Sequence, residues 1–185
     1  TIGASSPGVL ASAILGEPGV EYNPYKFIYL GSPFSENNNI FATRKALGIN
    51  NLEKLRAAAG LRIGGQSVGH VQYIRGRLFA WLLGLKDTKF VVGFAGTELD
   101  IALERGEIDA RAVAVDTVST SEGYQKLVDF HAILEIPKGH RPRQFAHLPE
   151  IESFVRSAIE SQVLLMSRVF WGVGTLVYLP PSTPE

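Results

Sequence analysis

Gly64-Gly65-Gln66-Ser67-Val68-Gly69-His70 is the stretch of sequence that decides the fold. It follows a short apolar run, 61–64, and precedes a segment, 70–83, in which apolar residues recur at helical spacing. The pattern therefore predicts a strand, a tight turn and a helix. Glycines permit the tight path, and the unpaired N–H groups at a helix start converge on one point. Such a turn binds an anion without lysine or arginine, although plain strand-to-helix turns without a ligand are also frequent in α/β proteins.

A second turn of the same kind follows along the chain, at Gly93-Phe94-Ala95-Gly96-Thr97-Glu98. The sequence predicts a strand over 89–92 before it and a helix over 97–105 after it. Thr97 is a good N-cap, and acidic residues in the first helical turn complement the helix dipole. Two successive strand-to-helix turns place two helix starts at the same edge of a parallel sheet, where ligands bind.

The rest of the chain continues the alternation of strands and helices. Further strands are predicted over 26–30, 39–43, 111–115, 132–136 and 174–179, and further helices over 52–59, 119–130 and 150–167, the last in one or two pieces. Short connections between such elements indicate βαβ units and a mostly parallel sheet flanked by helices. The acids of 104–109 are expected to be solvated, with Gly106 ending a helix in the left-handed conformation.

Composition excludes several classes of protein. The 185 residues include 18 basic and 18 acidic side chains, so the formal net charge is zero and no nucleic-acid partner is indicated. The absence of cysteine excludes a disulfide scaffold, a thiolate zinc site and a cysteine nucleophile. The four histidines are scattered and no phosphate-binding loop motif is present, so we expect no metal and no nucleotide or other cofactor.

A serine hydrolase is the alternative that the same residues leave open. Residues 65–69 fit G-x-S-x-G, the nucleophile elbow of α/β-hydrolases, with Ser67 as the nucleophile. Acids and later histidines follow in the order of that catalytic triad: Asp109, Asp116, His131, His140 and His147. The motif has only three fixed residues, and loop or surface histidines are far commoner than catalytic ones.

An ordered set of motifs resembles the receptor component of the tripartite tricarboxylate transporters. The set begins with Leu30-Gly31-Ser32-Pro33, and its most specific members are 93–98 and Leu103-Glu104-Arg105-Gly106-Glu107-Ile108-Asp109. Phe94 stands where that family usually has Tyr, and Ala110 where it usually has Gly. The remaining members are Leu52-Glu53-Lys54-Leu55, Leu148-Pro149-Glu150-Ile151 and the return strand Val177–Pro181.

The resemblance implies a type II periplasmic binding protein fold, with two lobes that close on a ligand about a hinge. Residues 1–42 would form part of lobe 1, residues 43–136 lobe 2, and residues 137–185 the return crossover and a further part of lobe 1. The hinge would lie near 41–45 and 136–143. The opening on Thr1-Ile2-Gly3 looks like a strand end, and Ser182 with Glu185 has the pattern of a capping box. We therefore expect a fragment of a two-lobed protein, whose uncovered apolar surface favours dimerisation.

The function implied by the resemblance is periplasmic capture of a small organic carboxylate and its delivery to the membrane permease subunits of a tripartite transporter. On this interpretation the protein is not an enzyme. A ligand-sensing domain on the same fold, coupled to another protein, is a further alternative. Contacts to the ligand are expected mainly from backbone N–H groups of the two turns, with two residues after the third strand lining the floor. These residues are Gly65, Gln66, Ser67 and Val68, then Ala95, Gly96 and Thr97, and finally Asp116 and Ser119.

Overall fold

The computed structural model describes residues 2–33, 36–181 and 183, so Thr1, Ser182 and Glu185 of the end-of-chain predictions lie outside the described residues. Two sheets organise the chain. Strands β1 (Gly3–Ser5), β2 (Ile28–Gly31) and β8 (Leu176–Leu179) form a small antiparallel sheet in the order β1-β8-β2. The larger sheet contains β3 (Asn39–Arg44), β4 (Arg62–Gly64), β5 (Lys89–Val91), β6 (Ala110–Ala114) and β7 (Val128–Leu134).

The larger sheet has the order β5-β4-β6-β3-β7. Strand β4 pairs in parallel with β5 and with β6, whereas β3 runs antiparallel to both β6 and β7. Four of its five strands therefore point the same way and end at one edge. Strand β3 crosses the predicted boundary between residues 42 and 43.

Seven α-helices complete the fold: α1 (Gly8–Ile14), α2 (Leu52–Ala57), α3 (Val71–Leu83), α4 (Glu98–Arg105), α5 (Val115–Ser119), α6 (Glu122–Leu127) and α7 (Ala158–Gly172), counted over the residues described. Short 3₁₀ helices occur at Pro24–Lys26, Lys45–Leu47, Arg143–Phe145 and Ile151–Phe154. Within these same ranges of the chain, no helix has the length and apolar character needed to cross a bilayer.

Strand β3 shows why the sheet is covered on both faces. Ile40, Phe41 and Ala42 are fully buried, and successive side chains of a strand point to opposite faces. Phe41 packs in one core with Phe79 of α3, whereas Ile40 and Ala42 belong to a second core on the other face. This arrangement explains the nearly continuous apolar character of the strand, which is typical of a sheet between two layers of helices.

The sequence predicts most elements within a few residues, but the segment after β6 differs. A single helix over 119–130 is wrong: α5 and α6 are two short helices, and β7 begins at Val128 rather than at residue 132. The side chain of Ser121 accepts a hydrogen bond from the N–H of Tyr124 at 3.2 Å and starts α6 anew. The helical prediction failed because β7 lies next to a buried strand, and that pairing outweighs local helical spacing.

Candidate functional site

The site predicted from the sequence lies at the edge where β4, β5, β6 and β7 end. Gly64 of β4 is paired with Val91 of β5, so the turns that follow the two strands start side by side. The N–H of Gly93 donates a hydrogen bond of 2.9 Å to the carbonyl oxygen of Gln66 and joins the two turns directly. The sheet therefore brings the two predicted anion-binding turns together, as the sequence indicates.

The first turn exposes part of its backbone and uses part of it internally. The N–H of Gly65 donates to the carbonyl oxygen of Val91 at 2.9 Å and so continues the pairing of β4 with β5. This N–H is therefore not available to a ligand. The N–H groups of Gln66, Ser67 and Val68 make no hydrogen bond to any described part of the chain. Ser67 and Val68 are exposed. Three of the four residues predicted here thus retain free donors.

Helix α3 begins within one residue of the predicted start. Its first helical residue is Val71, and His70 is the N-cap, whose Nδ1 accepts a hydrogen bond from the N–H of Gln72 at 3.3 Å. Burial, together with the positive charge of Arg75, lowers the pKa of His70. The free N–H groups of the glycine turn therefore lie before the helix rather than inside its first turn.

The second turn is closed by its own glutamate. The carboxylate of Glu98 accepts a hydrogen bond of 2.8 Å from the N–H of Ala95, which is consequently occupied. Thr97 is the N-cap of α4, as predicted, but its backbone is helical and its side chain makes no capping hydrogen bond. Gly96 takes a positive φ of 52°, and the N–H groups of Gly96 and Thr97 donate no hydrogen bond within the described residues.

The two predicted floor residues lie on α5, which follows β6 directly. Asp116 is in its first turn and Ser119 is its last residue, and both are exposed. The hydroxyl of Ser119 donates to the carbonyl oxygen of Val115 at 2.8 Å and accepts a hydrogen bond from the side chain of Gln144. The hydroxyl of Ser119 is therefore engaged within the protein, whereas the carboxylate of Asp116, at the same edge, is exposed and could contact a ligand.

Two acidic residues, one in α4 and one just before β6, form ion pairs with arginines. Asp109 is 7% exposed and binds Arg62 with both carboxylate oxygens at 2.8 Å, and Arg44 lies 3.7 Å away. Burial alone would raise the pKa of Asp109, but the bonds and charge of the arginines outweigh burial and lower it. Asp100 pairs with the buried Arg111. The solvated state predicted for residues 104–109 is thus wrong for Asp109, whereas Gly106 has a φ of 74°, as predicted.

Two of the three histidines predicted for the hydrolase alternative make other contacts. His131 is buried in β7, where its Nε2 lies 2.7 Å from the hydroxyl of Thr43, and burial lowers its pKa to about 4. His140 contacts Glu36 at 3.2 Å. The side chain of Ser67 makes no hydrogen bond to a histidine in the described part of the chain, although its carbonyl oxygen accepts one of 3.1 Å from the backbone N–H of His70. No group of three or more potential metal-ligating side chains occurs there either.

Sequence reasoning missed the asparagines at the start of β3 and an arginine of α3. Asn38 bonds to both ends of the segment after β7, through the N–H of Ile136 at 2.8 Å and the carbonyl oxygen of His140 at 2.7 Å. Arg75 is buried and donates to Asn39 at 2.9 Å. The run Asn37-Asn38-Asn39 was the available signal, because polar residues directly before a buried apolar strand indicate backbone groups that need partners.

Comparison with solved structures identifies the fold. The whole chain superposes on MatC from Rhodopseudomonas palustris with bound malate (20% identity, TM-score 0.64). It also superposes on a TctC solute-binding protein from Polaromonas without ligand (17%, 0.63) and on an R. palustris protein with adipate (18%, 0.63). The chain spans 58%, 58% and 57% of those chains, respectively. No family model and no curated protein sequence matches it. The predicted fold, that of the periplasmic binding proteins, is confirmed.

Proposed function

We propose that this chain belongs to the receptor family of the tripartite tricarboxylate transporters and forms part of a periplasmic protein that captures a small organic carboxylate. The observation that carries the proposal is the pair of turns at the carboxyl edge of the larger sheet, joined by the bond from Gly93 to Gln66. Their free donors come from Gln66, Ser67, Val68, Gly96 and Thr97. Proteins of the same fold have been solved with malate and with adipate.

Carboxylate capture suits this arrangement for a physical reason. Convergent backbone N–H groups offer several donors to one oxyanion and carry no charge that must be desolvated. Each hydrogen bond to a charged group contributes about 1.5–3 kcal/mol. Asp116, at the same edge, would disfavour a second negative group near α5 and would favour a hydroxyl or ammonium group there. The proposed set remains Gly65 to Val68, Ala95 to Thr97, Asp116 and Ser119, with Gly65, Ala95 and Ser119 shaping the turns rather than donating.

The partners follow from the same proposal. Residues 43–136 would act as one lobe, the small sheet would belong to the other, and hinge closure would present the loaded receptor to the permease subunits. Catalysis has no part in this function. The hydrolase alternative gains no support, because the Ser67 side chain makes no hydrogen bond to a histidine in the described part of the chain, and the rings of His131 and His140 contact Thr43 and Glu36 instead.

The test is binding by the full-length protein. Native mass spectrometry of freshly purified protein should detect a co-purified small carboxylate, and calorimetry with malate, adipate, citrate and their neutral amides should show binding of an acid but of no amide. Binding of neither acids nor amides would contradict carboxylate capture, and tighter binding of a neutral solute would reassign the ligand class.

A further inference from the structure

Arg75 of α3 carries a positive charge that the described protein does not neutralise. The residue is 4% exposed, and one terminal nitrogen donates to the side-chain oxygen of Asn39 at 2.9 Å. Its Nε and its other terminal nitrogen are buried and lack a hydrogen-bond partner among the residues described. No ion pair joins Arg75 to a described carboxylate, in contrast to Arg111, which pairs with Asp100, and Arg168, which lies 2.8 Å from Glu150.

A buried charge without a counter-ion is unfavourable, because the protein interior cannot replace the water that solvated it. Burial lowers the pKa of Arg75 to about 9, so the guanidinium still holds its proton at neutral pH. The Trp171 ring, with its centroid 5.1 Å from the guanidinium carbon, offsets part of the cost through a cation–π contact. The charge itself stays uncompensated.

Arg75 is also placed at the ligand-facing edge. Its partner Asn39 opens β3 and lies opposite Ala114 and Leu134, the last residues of β6 and β7. Trp171 lies in the last turn of α7, shortly before the chain enters the small sheet at β8. The guanidinium thus lies where the chain passes between its two sheets, beside the edge that carries both glycine turns.

The first turn of α3 contributes a second unpaired polar atom. Gln72 and Arg75 are three residues apart, which places them on the same side of the helix. The Oε1 atom of Gln72 is buried and has no partner in the described chain. The positive charge of Arg75 also reaches His70, the last residue of the glycine turn, where it contributes to lowering the pKa.

We propose that Arg75 is the residue that makes the site selective for anions, and that the carboxylate of the bound solute is its counter-ion. This inference rests on the proposed function and deepens it. The backbone donors of the turns also accommodate an uncharged carbonyl oxygen, with weaker hydrogen bonds, whereas a buried positive charge strengthens the binding of an acid alone. One face of the guanidinium lies against Trp171, so its interaction with the solute is one of charge across the edge of the sheet.

The experiment compares Arg75→Met and Arg75→Lys with Arg77→Met in the full-length protein. Arg77 is exposed on the same helix and makes cation–π contacts with Tyr73 and Phe90. Arg77→Met is therefore the matched control, because it makes the same chemical change at an arginine whose charge is not buried. Calorimetry measures malate, adipate and their neutral diamides. We expect Arg75→Met to weaken acid binding roughly 10- to 100-fold, the equivalent of losing one charged interaction, and to leave any diamide binding within about threefold. Arg75→Lys, which keeps the charge, should retain the preference for acids, and Arg77→Met should behave as the unaltered protein.

A second measurement needs no ligand. The melting temperature of ligand-free Arg75→Met should equal or exceed that of the unaltered protein, because relief of the uncompensated buried charge outweighs the loss of the hydrogen bond to Asn39 and of the contact with Trp171. A large decrease would show that the protein itself neutralises Arg75 and would overturn the inference. Equal acid affinity in Arg75→Met and the unaltered protein would also overturn it while leaving the proposed function intact. Failure of the unaltered protein to bind any acid would overturn both.

Discussion

Asn38 accepts a hydrogen bond of 2.8 Å from the N–H of Ile136 through its side-chain oxygen, and its amide nitrogen donates to the carbonyl oxygen of His140 at 2.7 Å. One buried side chain thereby joins the segment that enters β3 to the segment that leaves β7. The backbone repeats the link, because the N–H of Asn37 donates to the carbonyl oxygen of Ile136 at 2.7 Å. Residues 37–38 therefore join the start of β3 to residues 136–140, which lie in one of the two segments predicted as the hinge.

Asn38→Ala should destabilise the protein by about 2–3 kcal/mol, because it leaves a buried N–H and a carbonyl oxygen without partners. Urea unfolding at pH 7 measures the effect. Asn50→Ala is the matched control, since Asn50 is exposed and only accepts a bond from Lys54. Equal losses in the two variants would show that the link at Asn38 contributes nothing specific.

Asp109→Asn should lower stability at neutral pH by about 1–2 kcal/mol, discounted because Arg62 is 39% exposed at its side chain. The folded-state pKa of Asp109 lies below its ordinary value of 3.8, so the native protein binds fewer protons than the unfolded chain. The contribution is therefore present above pH 4 and is lost as the pH falls through the folded-state pKa. The variant and the unaltered protein should converge in acid-unfolding curves.

Glu107→Gln provides the control for Asp109, because the Glu107 carboxylate is 49% exposed and lies 3.9 Å from Arg105. We expect its free energy of unfolding to stay within about 0.5 kcal/mol of the unaltered protein. A constant difference between Asp109→Asn and the unaltered protein down to pH 2 would contradict the role assigned to the charge.

The fold could be predicted from the sequence because its signals are local. Glycines at the two turns and apolar periodicity in 70–83 fix strand, turn and helix without knowledge of distant contacts. The positions of the two turns followed as well, since parallel strands must end at one edge. The antiparallel course of β3 could not be derived from its residues, because Ile40, Phe41 and Ala42 are buried in either direction.

The detailed chemistry of the site could not be predicted, because it depends on contacts between distant residues. The N–H of Gly65 is hydrogen-bonded to Val91, and that of Ala95 to Glu98, only once the sheet and α4 have formed. Neither N–H group is then available to a ligand. Arg75 looks like an ordinary helical arginine in the sequence. Its isolation becomes visible only when Asn39, 36 residues away, is found as its hydrogen-bond partner.

His131 should make the protein less stable between pH 6.5 and pH 4. Burial lowers its pKa from 6.5 to about 4, so in this window the unfolded chain binds a proton that the native protein excludes. Stability should fall by at most about 1.4 kcal/mol per pH unit as the pH decreases. His131→Gln should flatten this slope in urea unfolding, whereas His140→Gln, at a largely exposed histidine, should not. Parallel slopes in all three proteins would show that His131 is protonated without cost.

Ser67→Ala should weaken binding of the co-purified carboxylate roughly tenfold and should change no hydrolytic activity. Ser67 is exposed in the turn and has its N–H free, so its hydroxyl can donate one more hydrogen bond to an anion held there. Such a bond is worth about 1.5 kcal/mol or more, which corresponds to at least a tenfold change in affinity. Ser161→Ala, on the exposed side of α7, is the control and should bind normally.

A fluorophosphonate probe and a panel of simple esters distinguish the receptor from the hydrolase. Labelling or ester cleavage that disappears in Ser67→Ala would establish Ser67 as a nucleophile and would replace the receptor with the hydrolase, because a hydrogen-bond donor without a base reacts with neither.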